Sequence, residues 1–169
     1  IINMSLGGEI DADPTLENAV RAAAAAGVLV VISAGNEAEP AGTDENNNPT
    51  EATGFQPTEP AHIAGEASSL GRVVAVGSIY PNGVISDYSN RAGSSAQNYY
   101  LLAPGEDIIS TGPDDDVAFP GDPTNDADSD GDYYRISGTS FAAPYVAGAL
   151  ALLLDAFPNL RSQPEVALQ

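Results

Sequence analysis

The sequence predicts an α/β fold, a mainly parallel sheet flanked by helices. Three observations carry that prediction. Val28-Leu29-Val30-Val31-Ile32 is an unbroken aliphatic run, as expected of a strand covered on both faces. Strand-like and helix-like segments alternate along the chain, joined by short glycine-bearing turns. Three segment ends, Ser5-Leu6-Gly7-Gly8, Ser33-Ala34-Gly35-Asn36 and Gly138-Thr139-Ser140, carry the small and polar residues that gather at the carboxyl ends of parallel strands.

The elements follow in order. Ile1 to Leu6 reads as a short core strand ending at Gly7-Gly8. Asp13-Pro14 suits a helix start, because proline is tolerated where no intrahelical N–H bond is made. The alanine-rich stretch Thr15 to Ala26 continues that helix, and Gly27 fits its C-terminal cap. After the Val28–Ile32 strand, residues 37–70 are rich in Glu, Pro, Asn, Thr and Gly with little periodicity, and read as a long surface loop or insertion. Arg72 to Ile79 is a further strand, followed by a Pro81-Asn82-Gly83 turn. Tyr99 to Ala103 and Asp107 to Ser110 are two short strands split by Pro104-Gly105. Residues 112–132 form a second, acidic loop, and Tyr133 to Ile136 a last strand. Ser140 to Phe157 reads as a helix stopped by Pro158; it is apolar on nearly every face, so full burial is expected.

Length and composition narrow the function. The chain of 169 residues is enough for one domain with a core, 1–169, carrying insertions at about 37–70 and 112–132. Asp and Glu number 24 against five basic residues, all arginine, for a net charge of -19. That balance argues against nucleic acid and against an anionic membrane surface, both of which need clustered cations. It leaves solubility in a salty or calcium-rich medium, or specific cation binding. Cysteine is absent, which excludes disulfides, thiolate catalysis and Cys-based zinc sites. The longest apolar stretch, Phe141 to Leu154, is too short to span a bilayer and contains Pro144 and Gly148.

Ser140 follows a strand and opens a helix, so it reads first as an N-cap. It also stands where unpaired backbone N–H groups and the positive end of a helix dipole would favour a developing oxyanion. Gly138 would let a substrate approach the backbone closely. The stretch is not the G-x-S-x-G elbow, because Ala142 occupies the second glycine position. Asn36, after Ala34-Gly35, is a turn residue when read alone. Paired with Ser140 it becomes a side-chain donor to an oxyanion.

Taken together and in order, "NMSLGG", "VISAGNE" and "SGTSFAAPYVAGALALLL" resemble the subtilisin-like serine protease (subtilase) family. "RVVAVGSI" and "LLAPGEDIIST" are similar to its intervening strands. The resemblance implies a serine endopeptidase acting on polypeptides. Ser140 would be the acylating nucleophile, and Asn36 would donate its amide to the tetrahedral intermediate. Ser5, Leu6 and Gly7 would pair with an extended substrate. Leu6, Gly7, Gly8, Ala34 and Gly35 would line the pocket for the residue before the scissile bond, with Gly138 and Thr139 close by. No cofactor would be required for the chemistry, and an extracellular location is implied.

One departure qualifies the resemblance. The family's triad runs Asp, His, Ser along the chain, with Asp and His before the "SLGG" strand. The residues from Ile1 to that strand hold neither of them, and the single histidine, His62, lies after Asn36 and reads as a solvated loop residue. The chain is therefore expected to be the C-terminal portion of a catalytic domain whose N-terminal half completes it. Alone it is expected to be inactive and to leave one side of its sheet exposed. The alternatives are a non-catalytic relative that binds peptides and a calcium-binding structural module.

The calcium reading rests on the second loop. Asp126-Ala127-Asp128-Ser129-Asp130-Gly131 matches the first half of an EF-hand loop, but Ser137 falls where the bidentate glutamate belongs. A simpler structural calcium site from Asp126, Asp128 and Asp130, with Asp132 near, is one expectation. A hydrated acidic insertion is the other.

Overall fold

The computed structural model describes residues 1–8, 14–43, 49–94, 96–111 and 133–168. Its centre is a four-stranded parallel sheet of β1 (Ile2–Met4), β2 (Val30–Ser33), β5 (Val73–Ile79) and β6 (Tyr100–Pro104), in the spatial order β1-β2-β5-β6. Two small hairpins complete the described strands: β3 (Gly42–Thr43) with β4 (Pro49–Thr50), and β7 (Ile108–Thr111) with β8 (Tyr133–Ile136), both antiparallel. Helix α1 is Pro14–Ala25 and helix α2 is Thr139–Ala156.

The aliphatic run of β2 is buried along its whole length because the sheet is covered twice, so the side expected from the sequence to be exposed is not left open. Val30 and Ile32 pack with Val73 and Ala75 under Val20 and Ala24 of α1. Leu29 and Val31, alternating to the other face, pack with Val74 and Val76 under Ala142, Ala143, Val146 and Leu150 of α2. The α/β layering predicted from the sequence is thus present, with element ends shifted by a residue or two. Helix α1 ends as the sequence indicates: Gly27 takes φ +89°, Val28 N–H donates to Ala23 O and Gly27 N–H to Ala24 O, both at 3.0 Å. That bond pair satisfies carbonyls the helix leaves free, and the left-handed residue in it favours glycine.

Two further expectations change. The 37–70 segment is not surface material throughout. Pro57, Pro60, Ala61, Ile63 and Ala64 are buried, and the 3-10 turn Ala61–Gly65 joins the core beneath α1. His62, in that turn, is not freely solvated: its Nε2 lies 3.2 Å from Glu17 Oε1, and its Nδ1 is buried without a partner. Glu17 also pairs with Arg21 at 2.9 Å, and Arg21 with Glu66 at 2.9 Å, so charge pins the turn to α1.

Helix α2 is not buried all round. Its inner stripe packs on the sheet, but Tyr145 and Leu152 are exposed, Leu152 by 74%, and so is Phe157 just past its end. By length and composition this helix could cross a bilayer; it packs instead on β2 and β5. At the sheet's edge, Ile1 and Ile2 are also exposed.

Candidate functional site

Parallel strands place their carboxyl ends side by side, so the turns after β1 and β2 meet the start of α2. The meeting is made by hydrogen bonds between residues more than a hundred positions apart. Thr139 N–H and Thr139 Oγ1–H both donate to Asn36 Oδ1, each at 2.9 Å. The same hydroxyl accepts from Gly35 N–H at 3.2 Å. Ser33 Oγ donates to Leu6 O at 3.1 Å, tying the end of β2 to that of β1.

The Thr139 clamp fixes which end of the Asn36 amide points where. A backbone N–H can only donate, so the atom it meets must be the oxygen. The NH₂ group is therefore turned outward, and Asn36 is exposed. A Cβ built on Gly138 would fall 3.6 Å from Asn36 Nδ2 and 3.8 Å from Ser140 N. Glycine at 138 thus leaves open a space bordered by two N–H donors.

Ser140 is not the helix cap. The capping position is Gly138, without a side-chain cap bond, and Ser140 is the second residue inside α2. Its hydroxyl is thus free of the N-cap duty that the sequence position suggests. Its carbonyl is treated unusually. Pro144 stands four residues on and has no N–H to give it. Ser5 Oγ supplies the missing donor at 2.6 Å, and Asn3 Nδ2 donates in turn to Ser5 Oγ at 3.1 Å. Ser5→Ala should therefore cost about 1 kcal/mol of stability, the ordinary net worth of one hydrogen bond, read as a lowered Tm with the fold retained.

Behind the site, Gly138 N–H donates to Gly105 O at 2.8 Å, and Tyr88 Oη–H to the same carbonyl at 3.0 Å. Burial pushes the Tyr88 phenol above its ordinary pKa.

The structure thus brings Ser5, Leu6, Gly7, Gly8, Ala34, Gly35, Asn36, Gly138, Thr139 and Ser140 to one end of the sheet. Leu6 and Gly7 are exposed, whereas Ala34, Gly35 and Thr139 are buried, so Thr139, expected beside the substrate, acts from behind Asn36. Asp126, Asp128, Asp130 and Asp132 lie outside the described residues. His62 belongs to the opposite face of the sheet, with α1. Among the residues sequence reading missed are Thr58 and Asn90. The Thr58 hydroxyl bonds to Ala34 O at 3.3 Å, and the buried Asn90 bonds through its N–H to Gly35 O at 3.0 Å.

The comparisons with known proteins agree with this fold. The sequence profile of the Subtilase family matches residues 1–167. The "Major intracellular serine protease" of Bacillus subtilis (strain 168) is 35% identical over 173 residues, covering 100% of this chain and 42% of its own length. "Subtilisin DY" of Bacillus licheniformis is 33% identical over 162 residues, covering 95% of this chain and 44% of its own. The structure of the patellamide maturation protease PatA superposes with a TM-score of 0.64 at 33% identity, over 99% of this chain and 49% of that one. The chain spans less than half the length of these relatives. The extracellular location expected from the sequence is not supported, since one of these relatives is named for an intracellular place.

Proposed function

Because the chain belongs to the subtilase family of serine proteases, we propose that it carries the nucleophile and the oxyanion donors of a serine endopeptidase. Ser140 Oγ attacks the carbonyl carbon of the scissile peptide bond and gives its proton to a general base. The carbonyl oxygen takes the negative charge and is met by Asn36 Nδ2–H and by Ser140 N–H. The C–N bond then breaks, the amine leaves with the proton, and water hydrolyses the acyl ester on Ser140. The observation that carries this reading is the Thr139 clamp on Asn36 Oδ1, which turns the amide outward beside the first turn of α2.

The base and its orienting carboxylate come, in this reading, from the rest of the domain, because the chain's single histidine is held by Glu17. Two exposed apolar regions support a covering partner segment: the edge strand β1 with Ile1 and Ile2, and the outer face of α2 with Tyr145 and Leu152, followed by Phe157. The 169 residues alone are then without peptidase activity. The test is labelling of the full-length protein by an uncharged fluorophosphonate. Label on Ser140, absent from Ser140→Ala, supports the proposal. Failure of the wild-type protein to label, while it remains folded and binds peptide, would replace it with the peptide-binding reading.

A further inference from the structure

We propose that Glu17, Glu59 and His62 form a site for a divalent transition-metal ion of the zinc class, on the α1 side of the sheet and apart from Ser140. Each residue offers one ligand atom, and these atoms all lie within 4.8 Å of one another. They come from separate places in the chain. Glu17 stands in the first turn of α1, Glu59 just before the 3-10 turn Ala61–Gly65, and His62 inside it. His62 Nε2 lies 3.2 Å from Glu17 Oε1. Two ligands at about 2.0–2.1 Å from one tetrahedral zinc stand about 3.3 Å apart. That pair therefore has the spacing of two ligands on one ion, with Glu59 beside it as the third and water for the fourth position.

Charge and hydrogen bonding point the same way. Arg21 Nη2 donates to Glu17 Oε2 and to Glu66 Oε2, both at 2.9 Å. One guanidinium thus serves two carboxylates, and Glu59 adds a third. With His62 neutral, the group is short of two positive charges, which one divalent ion supplies. Arg21 occupies Glu17 Oε2 and leaves Oε1 toward His62, the kind of outer hydrogen bond that orients a metal-binding carboxylate. Among the described residues no N–H or O–H group donates to either nitrogen of His62, and its Nδ1 is buried without a partner. The imidazole lone pair is therefore unspent, as a metal ligand requires. The nitrogen ligand favours zinc-like ions over calcium and magnesium, which take oxygen. A metal on Nε2 leaves the proton on Nδ1, where no acceptor meets it. Lack of such an outer partner costs about 10–100-fold, so the expected Kd is about 1 μM and not nanomolar. The ion would tie α1 to the turn, and through Glu59 O, which accepts Gly8 N–H at 3.2 Å, to the end of β1.

The experiment titrates the full-length protein with Zn²⁺ against a chromophoric chelator, with calcium in excess so that oxygen-only sites are filled. The wild type should bind one equivalent more than His62→Gln in the micromolar range. Glu59→Gln should weaken that equivalent by at least the 10–100-fold, in round terms, that loss of an outer partner alone costs. Asp155→Asn, the same charge change on α2 across the sheet, should leave it unaltered. Zn²⁺ at about a hundredfold over Kd should raise Tm in the wild type and not in His62→Gln. Co²⁺ in its place should give visible d–d absorption that His62→Gln abolishes. If His62→Gln does not melt cooperatively, Glu59→Gln decides the matter by the same titration. None of these readouts needs turnover, so they stand whether or not Ser140 is a nucleophile. Equal Zn²⁺ binding by the wild type and the folded variants, or displacement of the Zn²⁺ by the excess calcium, would overturn the inference.

Discussion

If the proposed function holds, Ser140→Ala in the full-length protein is expected to lower kcat by about 10⁶-fold, the magnitude established for the nucleophile of subtilisin itself. The variant separates chemistry from structure well. Ser140 is the second residue of α2, beyond the capping position, so its hydroxyl is not an N-cap ligand. Alanine is the better helix former, and the change should leave Tm unaltered or raise it slightly. The bond from Ser5 goes to the backbone oxygen of Ser140 and survives the substitution. A structural serine would therefore give a small effect on both Tm and kcat. A nucleophile gives loss of turnover and of fluorophosphonate labelling at constant Tm. Activity within tenfold of wild type, measured by turnover of a peptide substrate after removal of contaminating protease, would sink the assignment.

What could be read from the sequence, and what could not, follows the range of the forces involved. Strand β2 was legible because five consecutive aliphatic residues have no solvated face, and the structure covers both. Helix α1 was legible from local propensity and from Gly27, whose left-handed turn is itself a local property. The turn at residues 57–64 was not. Its buried residues are mostly proline and alanine in a 3-10 path, which shows no helical or strand period and so reads as loop. Uniform apolarity predicted a wholly buried α2, but a one-dimensional pattern cannot say whether the same 169 residues supply the cover, and Tyr145, Leu152 and Phe157 are left exposed. The serine and asparagine could be paired from their motifs alone. The residue that aims the asparagine could not, because the Thr139–Asn36 bonds span 103 positions and depend on the parallel topology. The remaining signal was a threonine beside the serine with no cap of its own to make.

Asn36→Ala is expected to reduce kcat by about 10²–10³-fold with little change in KM, a magnitude again taken from the equivalent loss in subtilisin. The reason is that the donor acts only once the carbonyl oxygen carries charge, so ground-state binding is left alone. Asn36→Asp should be at least as damaging. The aspartate is the same shape and can accept both Thr139 bonds, but it presents a negative oxygen where the negative charge develops. Its loss cannot be blamed on a cavity. Thr139→Val tests the positioning: it removes one of the two bonds to Asn36 Oδ1 and leaves the buried Gly35 N–H without its acceptor. A buried unsatisfied donor costs about 1–3 kcal/mol, so Tm should fall while kcat drops by roughly tenfold. Thr139→Ser, which keeps the hydroxyl, should restore most of kcat. Combined with Asn36→Ala, the Thr139→Val change should lower kcat little further, because both act through one amide. If the two losses multiply instead, Thr139 supports the fold by a route of its own and the clamp is not what aims Asn36.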